Sequence, residues 1–109
     1  MASSGGGNRV SQYTVHVTPE ALREIKGLPG HVRQRVKRAI DGLADNPHPP
    51  GSKTLNVPDV EPEVCRLRLD KWRVVYAISE TERIVDVVAV RKRPPYDYGD
   101  LARLLADIV

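Results

Sequence analysis

The chain has 109 residues, of which 40% are hydrophobic, and carries a formal net charge of +3 at pH 7. This length fits one domain with a single small core and excludes a catalytic domain joined to a separate regulatory one. The single cysteine, Cys65, excludes an internal disulfide framework, and no apolar run approaches the length of a membrane span.

The N-terminal residues set the expected boundary of the domain. Residues 1–11 are rich in glycine and serine and lack the apolar stretch of a signal peptide. We therefore expect a flexible tail over residues 1–11 and a single domain over residues 12–109. The lone cysteine suits a reducing compartment, so we expect a cytoplasmic protein with no membrane partner.

The first half of the chain predicts one strand and a pair of helices. Residues 13–17 alternate apolar and polar side chains, as a half-buried strand does. Thr18-Pro19 then supplies an N-cap and a proline at the first helical position. A second helix is predicted from about 31 to 45, because apolar residues recur there at helical spacing, and the proline-rich stretch 46–52 ends it.

The second half predicts three strands and a short helix. After a loop at 53–55, residues 66–69 and 72–78 predict a hairpin. The nearly continuous β-branched run 84–90 predicts a central strand covered on both faces, and 101–108 carry the apolar stripe of a short amphipathic helix. The predicted fold class is α+β, with an N-terminal strand, a helical hairpin packed on a small, mostly antiparallel four-stranded sheet, and a short C-terminal helix.

The predicted hairpin is the most informative segment. With Asp70-Lys71 as a two-residue loop, Arg68 lies opposite Arg73, and strand alternation places Arg66 on the same face. Like charges directly opposite each other destabilise a sheet, so this exposed trio indicates a ligand, and the guanidinium fork suits phosphate. The alternative is an ordinary solvated face, whose arginine stems cover apolar surface.

The wider distribution of charge points to a polyanionic partner. Basic residues cluster at 33–38, 66–73 and 91–93, and RNA, DNA or an acidic protein segment would fit them. The histidines are not spaced along the chain with a cysteine or a carboxylate as metal ligands are, and the sequence has no glycine-rich phosphate loop or serine in a nucleophile elbow. We therefore expect no metal and no small-molecule cofactor.

RNA cleavage is a reaction that these residue types can support. The 2′-hydroxyl of RNA attacks the adjacent phosphate, so a protein need only align the backbone, stabilise the charged phosphorane and assist proton transfer. Arginine suits the second task but stays protonated, which makes it a poor general base. Tyr96 and Tyr98 suit base stacking or proton transfer, and the alternative for both is packing against the sheet edge.

A set of positions spread over about residues 12–98 carries a family resemblance. The positions are Tyr13, Val15, Asn46-Pro47, Leu55, Arg66-Leu67-Arg68-Leu69, Trp72-Arg73-Val74-Val75-Tyr76, Val87 to Val90 and Arg93. Together with the helical hairpin, this set resembles the RelE/ParE toxin superfamily. The most specific part is the arginine hairpin.

The resemblance implies an activity, partners and a site. RelE-type toxins are ribosome-dependent endoribonucleases that cut messenger RNA in the ribosomal A site, leave a 2′,3′-cyclic phosphate and are held inactive by a cognate antitoxin. By position, the implied catalytic residues are Arg66, Arg68, Arg73, Arg93 and Tyr98. The residues expected to bind RNA beside them are Lys53, Lys71, Arg91, Lys92 and Tyr96.

Two alternatives and one departure accompany this assignment. The ParE branch of the superfamily poisons DNA gyrase by binding and lacks a nuclease site, and a third possibility is an inactive toxin. The best-studied RelE toxins carry lysines where Arg66 and Arg68 stand, so the general base is unassigned; Lys71, Lys92 or a substrate-assisted route could fill that role. The segment 101–108 is expected either to cap the core or to act as a lid that an antitoxin covers.

Overall fold

The computed structural model describes residues 12–55 and 63–92. The tail, the predicted helix at 101–108, and Arg93, Tyr96 and Tyr98 lie outside the described residues, and the proposed domain limits of 12–109 stay a prediction. Within the described residues the chain forms five strands and two helices, in the order β1 (Thr14–Val17), α1 (Pro19–Lys26), α2 (Gly30–Gly42), β2 (Ser52–Leu55), β3 (Glu63–Leu69), β4 (Trp72–Ser79) and β5 (Ile84–Lys92).

Both helices form where the sequence predicts them. Thr18 caps α1, because its Oγ1 accepts a hydrogen bond of 3.2 Å from the backbone N–H of Ala21, and Pro19 is the first helical residue. Helix α2 ends at Gly42, three residues before the predicted end. Neither helix is long and apolar enough to cross a membrane, in the part of the chain that the structure describes.

The strands form one mixed sheet in the order β1-β5-β4-β3-β2, in which β1 and β5 pair in parallel and the other pairs are antiparallel. The prediction of a loop at 53–55 is wrong, and so the sheet has five strands among residues 12–55 and 63–92, instead of the four expected. Ser52 pairs with Leu67 and Lys53 with Arg66, which makes this segment an edge strand. The sequence of this strand is three polar residues followed by one leucine, which lacks the alternation of polar and apolar residues that predicts a strand. The strand forms because β3 supplies hydrogen-bond partners for its backbone.

The arginine hairpin is confirmed residue by residue. Leu69 pairs with Trp72 and Arg68 with Arg73, so Asp70-Lys71 is the two-residue loop. Asp70 has a φ of 60°, the left-handed conformation that such loops require and that Asp tolerates better than most residues. The next strand is also confirmed, since β5 lies between β1 and β4, and residues 87–90 are all buried.

The core lies between the helices and one face of the sheet. Residues at alternating positions of β3 and β4, such as Leu67, Val74 and Tyr76, pack with Ile25 of α1 and Ile40 of α2. We call this the helix side. The opposite face of the sheet, called the outer face below, carries the intervening positions of the same strands.

Candidate functional site

The outer face brings five cationic residues together. Arg68, Arg73 and Arg91 form one row across β3, β4 and β5, because Arg73 pairs with Arg68 on one side and with Arg91 on the other. Lys53 pairs with Arg66 in the neighbouring row. We call these five residues the basic face, and it unites five of the ten residues that the sequence predicted for the site.

Arg73 differs from the other members in its burial. Arg68 is exposed and Arg66 is half-buried, but Arg73 is only 4% exposed. Its Nη1 donates to the backbone oxygens of Asp70, at 2.7 Å, and of Trp72, at 3.0 Å. The prediction of an arginine trio exposed alike is therefore wrong for Arg73, because its guanidinium folds back against the hairpin loop.

Arg91 is held by a contact that the sequence did not indicate. Its Nε lies 3.2 Å from Glu24 Oε2, and Glu24 Oε1 accepts a hydrogen bond of 2.8 Å from the backbone N–H of Val90. Strand β1 ends opposite Val87, so the backbone N–H of Val90 has no hydrogen-bond partner in β1. Helix α1 packs against β5, and its Glu24 supplies the acceptor instead. The carboxylate thus orients Arg91 and offsets part of its charge.

Lys71 and Lys92 lie away from the basic face. Lys92 pairs with Trp72, whose side chain packs on the helix side, and both lysines line a cleft of about 310 Å³ together with Trp72, Val32 and Arg35. The prediction that they bind RNA beside the arginines is not supported by this placement.

A second cluster, on the helix side, joins residues that the sequence left apart. His48 Nε2 lies 3.2 Å from both Oε1 and Oε2 of Glu63, and Cys65 Sγ lies 3.7 Å from Oε2. Thr54 Oγ1 donates to the same Oε2 at 3.0 Å. Spacing along the chain could not reveal this cluster, because it depends on β2 pairing with β3 and on the loop after α2 folding over that pair.

The pKa values in this cluster reflect the mixture of burial and contacts. Burial, and then the Glu63 carboxylate, raise the pKa of the Cys65 thiol to about 11. Burial also acts to raise the pKa of Glu63, but the hydrogen bonds from Thr54 and His48 outweigh it and bring the pKa below its ordinary value. The thiol is therefore protonated at neutral pH and is not a nucleophile.

Comparison with known proteins identifies the family by sequence. The family described as the ParE toxin of type II toxin-antitoxin system, parDE, matches residues 15–94. The chain is 32% identical over 91 residues to an Escherichia coli protein named as a RelE-like toxin, a match covering 84% of this chain and 94% of that protein. It is 27% identical over 81 residues to the mRNA interferase toxin RelE of Escherichia coli K12, covering 74% of this chain and 83% of that protein.

Solved structures agree with the fold. The archaeal RelE–RelB complex from Pyrococcus horikoshii aligns with a TM-score of 0.68 at 19% identity, covering 78% of this chain and 99% of that chain. The isolated RelE toxin of Escherichia coli aligns with a TM-score of 0.62 at 21% identity, covering 89% and 99%. Because the family match spans residues 15–94 and the 32% identity extends over 84% of the chain, the chain belongs to the ParE toxin family, within the RelE/ParE superfamily of toxin–antitoxin systems.

Proposed function

We propose that the protein is a ribosome-dependent endoribonuclease that cleaves messenger RNA through attack of the RNA's own 2′-hydroxyl, leaving a 2′,3′-cyclic phosphate. The observation that carries this proposal is the basic face. Five cations on four neighbouring strands give a rigid surface for a phosphate backbone, and fixed charges stabilise a phosphorane without reorganising during the reaction. The 27% identity to a protein named mRNA interferase supports the same reaction class.

The members of the basic face differ in what they can contribute. Arg68 and Lys53 are exposed and can reach a phosphate directly, while Arg66 is half-buried beside them. Arg73 contributes a positive charge fixed beneath the hairpin loop, where burial lowers the local dielectric and strengthens its field. Arg91 is oriented by Glu24 at the end of the row.

The remaining assignments are proposals from the resemblance. Arg93 and Tyr98 would complete the catalytic set, and Tyr96 would stack on a base. The arginines stay protonated, and Lys71 and Lys92 line the cleft on the helix side, so a substrate-assisted proton transfer is favoured for the base step. This chemistry needs no metal or small-molecule cofactor.

We also propose a cognate antitoxin as the regulatory partner, with the toxin acting in the cytoplasm where ribosomes translate. Related toxins have been solved as complexes with RelB, including the archaeal RelE–RelB complex. An acidic antitoxin segment would be steered toward the basic face by charge. Coverage of that face would exclude RNA.

Purified protein incubated with a translating extract tests the proposal. We expect new 5′ ends within coding regions, and we expect Arg68→Ala to reduce the cleavage rate at least tenfold while Arg38→Ala, an exposed arginine of α2, leaves it unchanged. Equal cleavage by both variants would contradict the placement of the site on the basic face.

The second candidate is inhibition of DNA gyrase by binding, which the match to the ParE family favours. A gyrase supercoiling assay with the same preparation distinguishes the two. Inhibited supercoiling with intact transcripts would replace the nuclease assignment. Intact transcripts with normal supercoiling would indicate an inactive toxin.

A further inference from the structure

We propose that His48, Glu63 and Cys65 form a binding site for one Zn²⁺ ion. The three ligand atoms, an imidazole nitrogen, a carboxylate oxygen and a sulfur, lie within 4.8 Å of one another. The family assignment and the proposed reaction do not require such a site. It lies on the helix side of the sheet, since Cys65 belongs to the core there, and is therefore separate from the basic face.

The separations of the ligand atoms match tetrahedral coordination. With ordinary bond lengths to nitrogen, oxygen and sulfur, a tetrahedral zinc ion holds neighbouring ligand atoms about 3.3–3.6 Å apart. His48 Nε2 lies 3.2 Å and Cys65 Sγ lies 3.7 Å from the same carboxylate oxygen, Glu63 Oε2. Two of the three ligand–ligand distances are thus already near those of a bound ion, and the third, between His48 Nε2 and Cys65 Sγ, is no more than 4.8 Å.

The combination of nitrogen, oxygen and sulfur ligand atoms favours Zn²⁺ over Mg²⁺ and Ca²⁺. Mg²⁺ and Ca²⁺ take oxygen ligands, whereas Zn²⁺ accepts nitrogen, oxygen and thiolate sulfur together. Three protein ligands leave the fourth position to water. On binding, the Cys65 thiol releases its proton to solvent and the thiolate ligates the ion, while His48 ligates through a neutral Nε2.

The surroundings hold the ligands in place. Thr54 Oγ1 donates to Glu63 Oε2 at 3.0 Å and so orients the carboxylate. The loop that carries His48 is fixed twice, because the His48 backbone N–H donates to Asn46 Oδ1 at 3.0 Å and Tyr76 donates to Pro47 O at 2.7 Å. A site with oriented, pre-positioned ligands loses little entropy when the ion enters.

The alternative is a hydrogen-bond network without an ion. In that case Glu63 accepts from Thr54, His48 and Cys65, and all three donors keep their protons. The two arrangements differ in one measurable property, since only the metal site places a thiolate on the ion. They also differ in the effect of added Zn²⁺ on stability, because an ion that binds only the folded protein raises the thermal midpoint of unfolding.

Titration of the full chain with Co²⁺, a spectroscopic substitute for Zn²⁺, provides the test. We expect one equivalent to bind with an intense near-ultraviolet sulfur-to-cobalt band and visible bands of tetrahedral intensity, and Zn²⁺ to displace it. Cys65→Ser should abolish the near-ultraviolet band, and His48→Ala should weaken Co²⁺ binding at least tenfold. The matched control is His31→Ala, an exposed histidine at the start of α2, which should bind as the unsubstituted protein does.

Folding of each variant is checked first by circular dichroism without metal, since Cys65 is only 1% exposed. If Cys65→Ser does not fold, His48→Ala decides, because His48 is exposed and its removal leaves the core intact. No sulfur-to-cobalt band in the unsubstituted protein would overturn the proposal. The zinc site would be equally refuted if Zn²⁺ left the thermal midpoint unchanged, or if His31→Ala reduced binding as much as His48→Ala.

Discussion

At the scale of single residues, Arg73 shows that alternation along a strand predicts which face a side chain occupies but not how deeply the side chain is buried. The pattern of the hairpin predicts which face Arg73 occupies, and the pairing of Arg73 with Arg68 confirms it. The pattern does not predict burial, because burial depends on a guanidinium that turns back to the carbonyls of Asp70 and Trp72. A charged residue placed by the sequence in a binding site thus also supports the hairpin loop.

This double role predicts the behaviour of two matched variants. Arg73→Ala should lower the free energy of unfolding by about 2–3 kcal/mol, since it removes two charge-assisted hydrogen bonds of a buried guanidinium to the backbone of the hairpin loop. Arg68→Ala, exposed and on the paired strand, should change it by no more than about 0.5 kcal/mol. Urea unfolding followed by circular dichroism measures both. Equal values for the two variants would show that the contacts of Arg73 do not stabilise the fold, and they would make Arg73→Ala a clean test of activity.

At the scale of elements, some helices and strands are predicted by the local pattern of apolar residues, whereas others form only through pairing with a distant strand. The long apolar run of β5 and the capped start of α1 carry strong local signals, and both elements are confirmed. Strand β2 carries almost no local sequence signal, and it forms because its backbone pairs with β3. The parallel pairing of β1 with β5 is equally nonlocal, and it creates a contact between His16 and Asp86 that neither segment indicates alone.

That contact predicts a pH-dependent stability. Burial raises the pKa of Asp86; His16, with its Nδ1 3.6 Å from Oδ1, opposes the shift, and Glu82 adds to it. A raised pKa means that the folded state holds its proton to higher pH than the unfolded state does. Stability therefore falls as the pH rises from the unfolded pKa through the folded pKa.

The matched pair for this test is Asp86→Asn and Asp41→Asn, the second being exposed on α2. We expect the thermal midpoint of Asp86→Asn to exceed that of the unsubstituted protein at neutral pH, and the gain to shrink as the pH falls toward about 4. Asp41→Asn should show no such trend. A constant difference across this range would mean that His16 compensates for the burial of Asp86 completely.

At the scale of the whole molecule, the sheet divides the basic residues between two surfaces. The sequence places most of them in clusters along the chain, and a cluster such as 91–93 suggests a single patch. Strand alternation separates its members, since Arg91 lies on the basic face while Lys92 pairs with Trp72 beside the cleft on the helix side. Charge counted along the sequence therefore overestimates the cations available to one ligand.

This division predicts which cations an RNA strand engages. Binding of a single-stranded oligonucleotide with a 2′-deoxy group at the cleavage position should weaken with salt, and each lost phosphate contact should reduce the slope of log affinity against log salt by about 0.7. Lys53→Ala and Arg68→Ala should each reduce the slope by that amount, because both side chains are exposed on the basic face. Lys71→Ala and Lys92→Ala remove the same charge from the cleft and should leave the slope unchanged. If the cleft variants reduced the slope and the others did not, the RNA would follow the helix side, and the phosphate-binding role of the basic face would have to be abandoned.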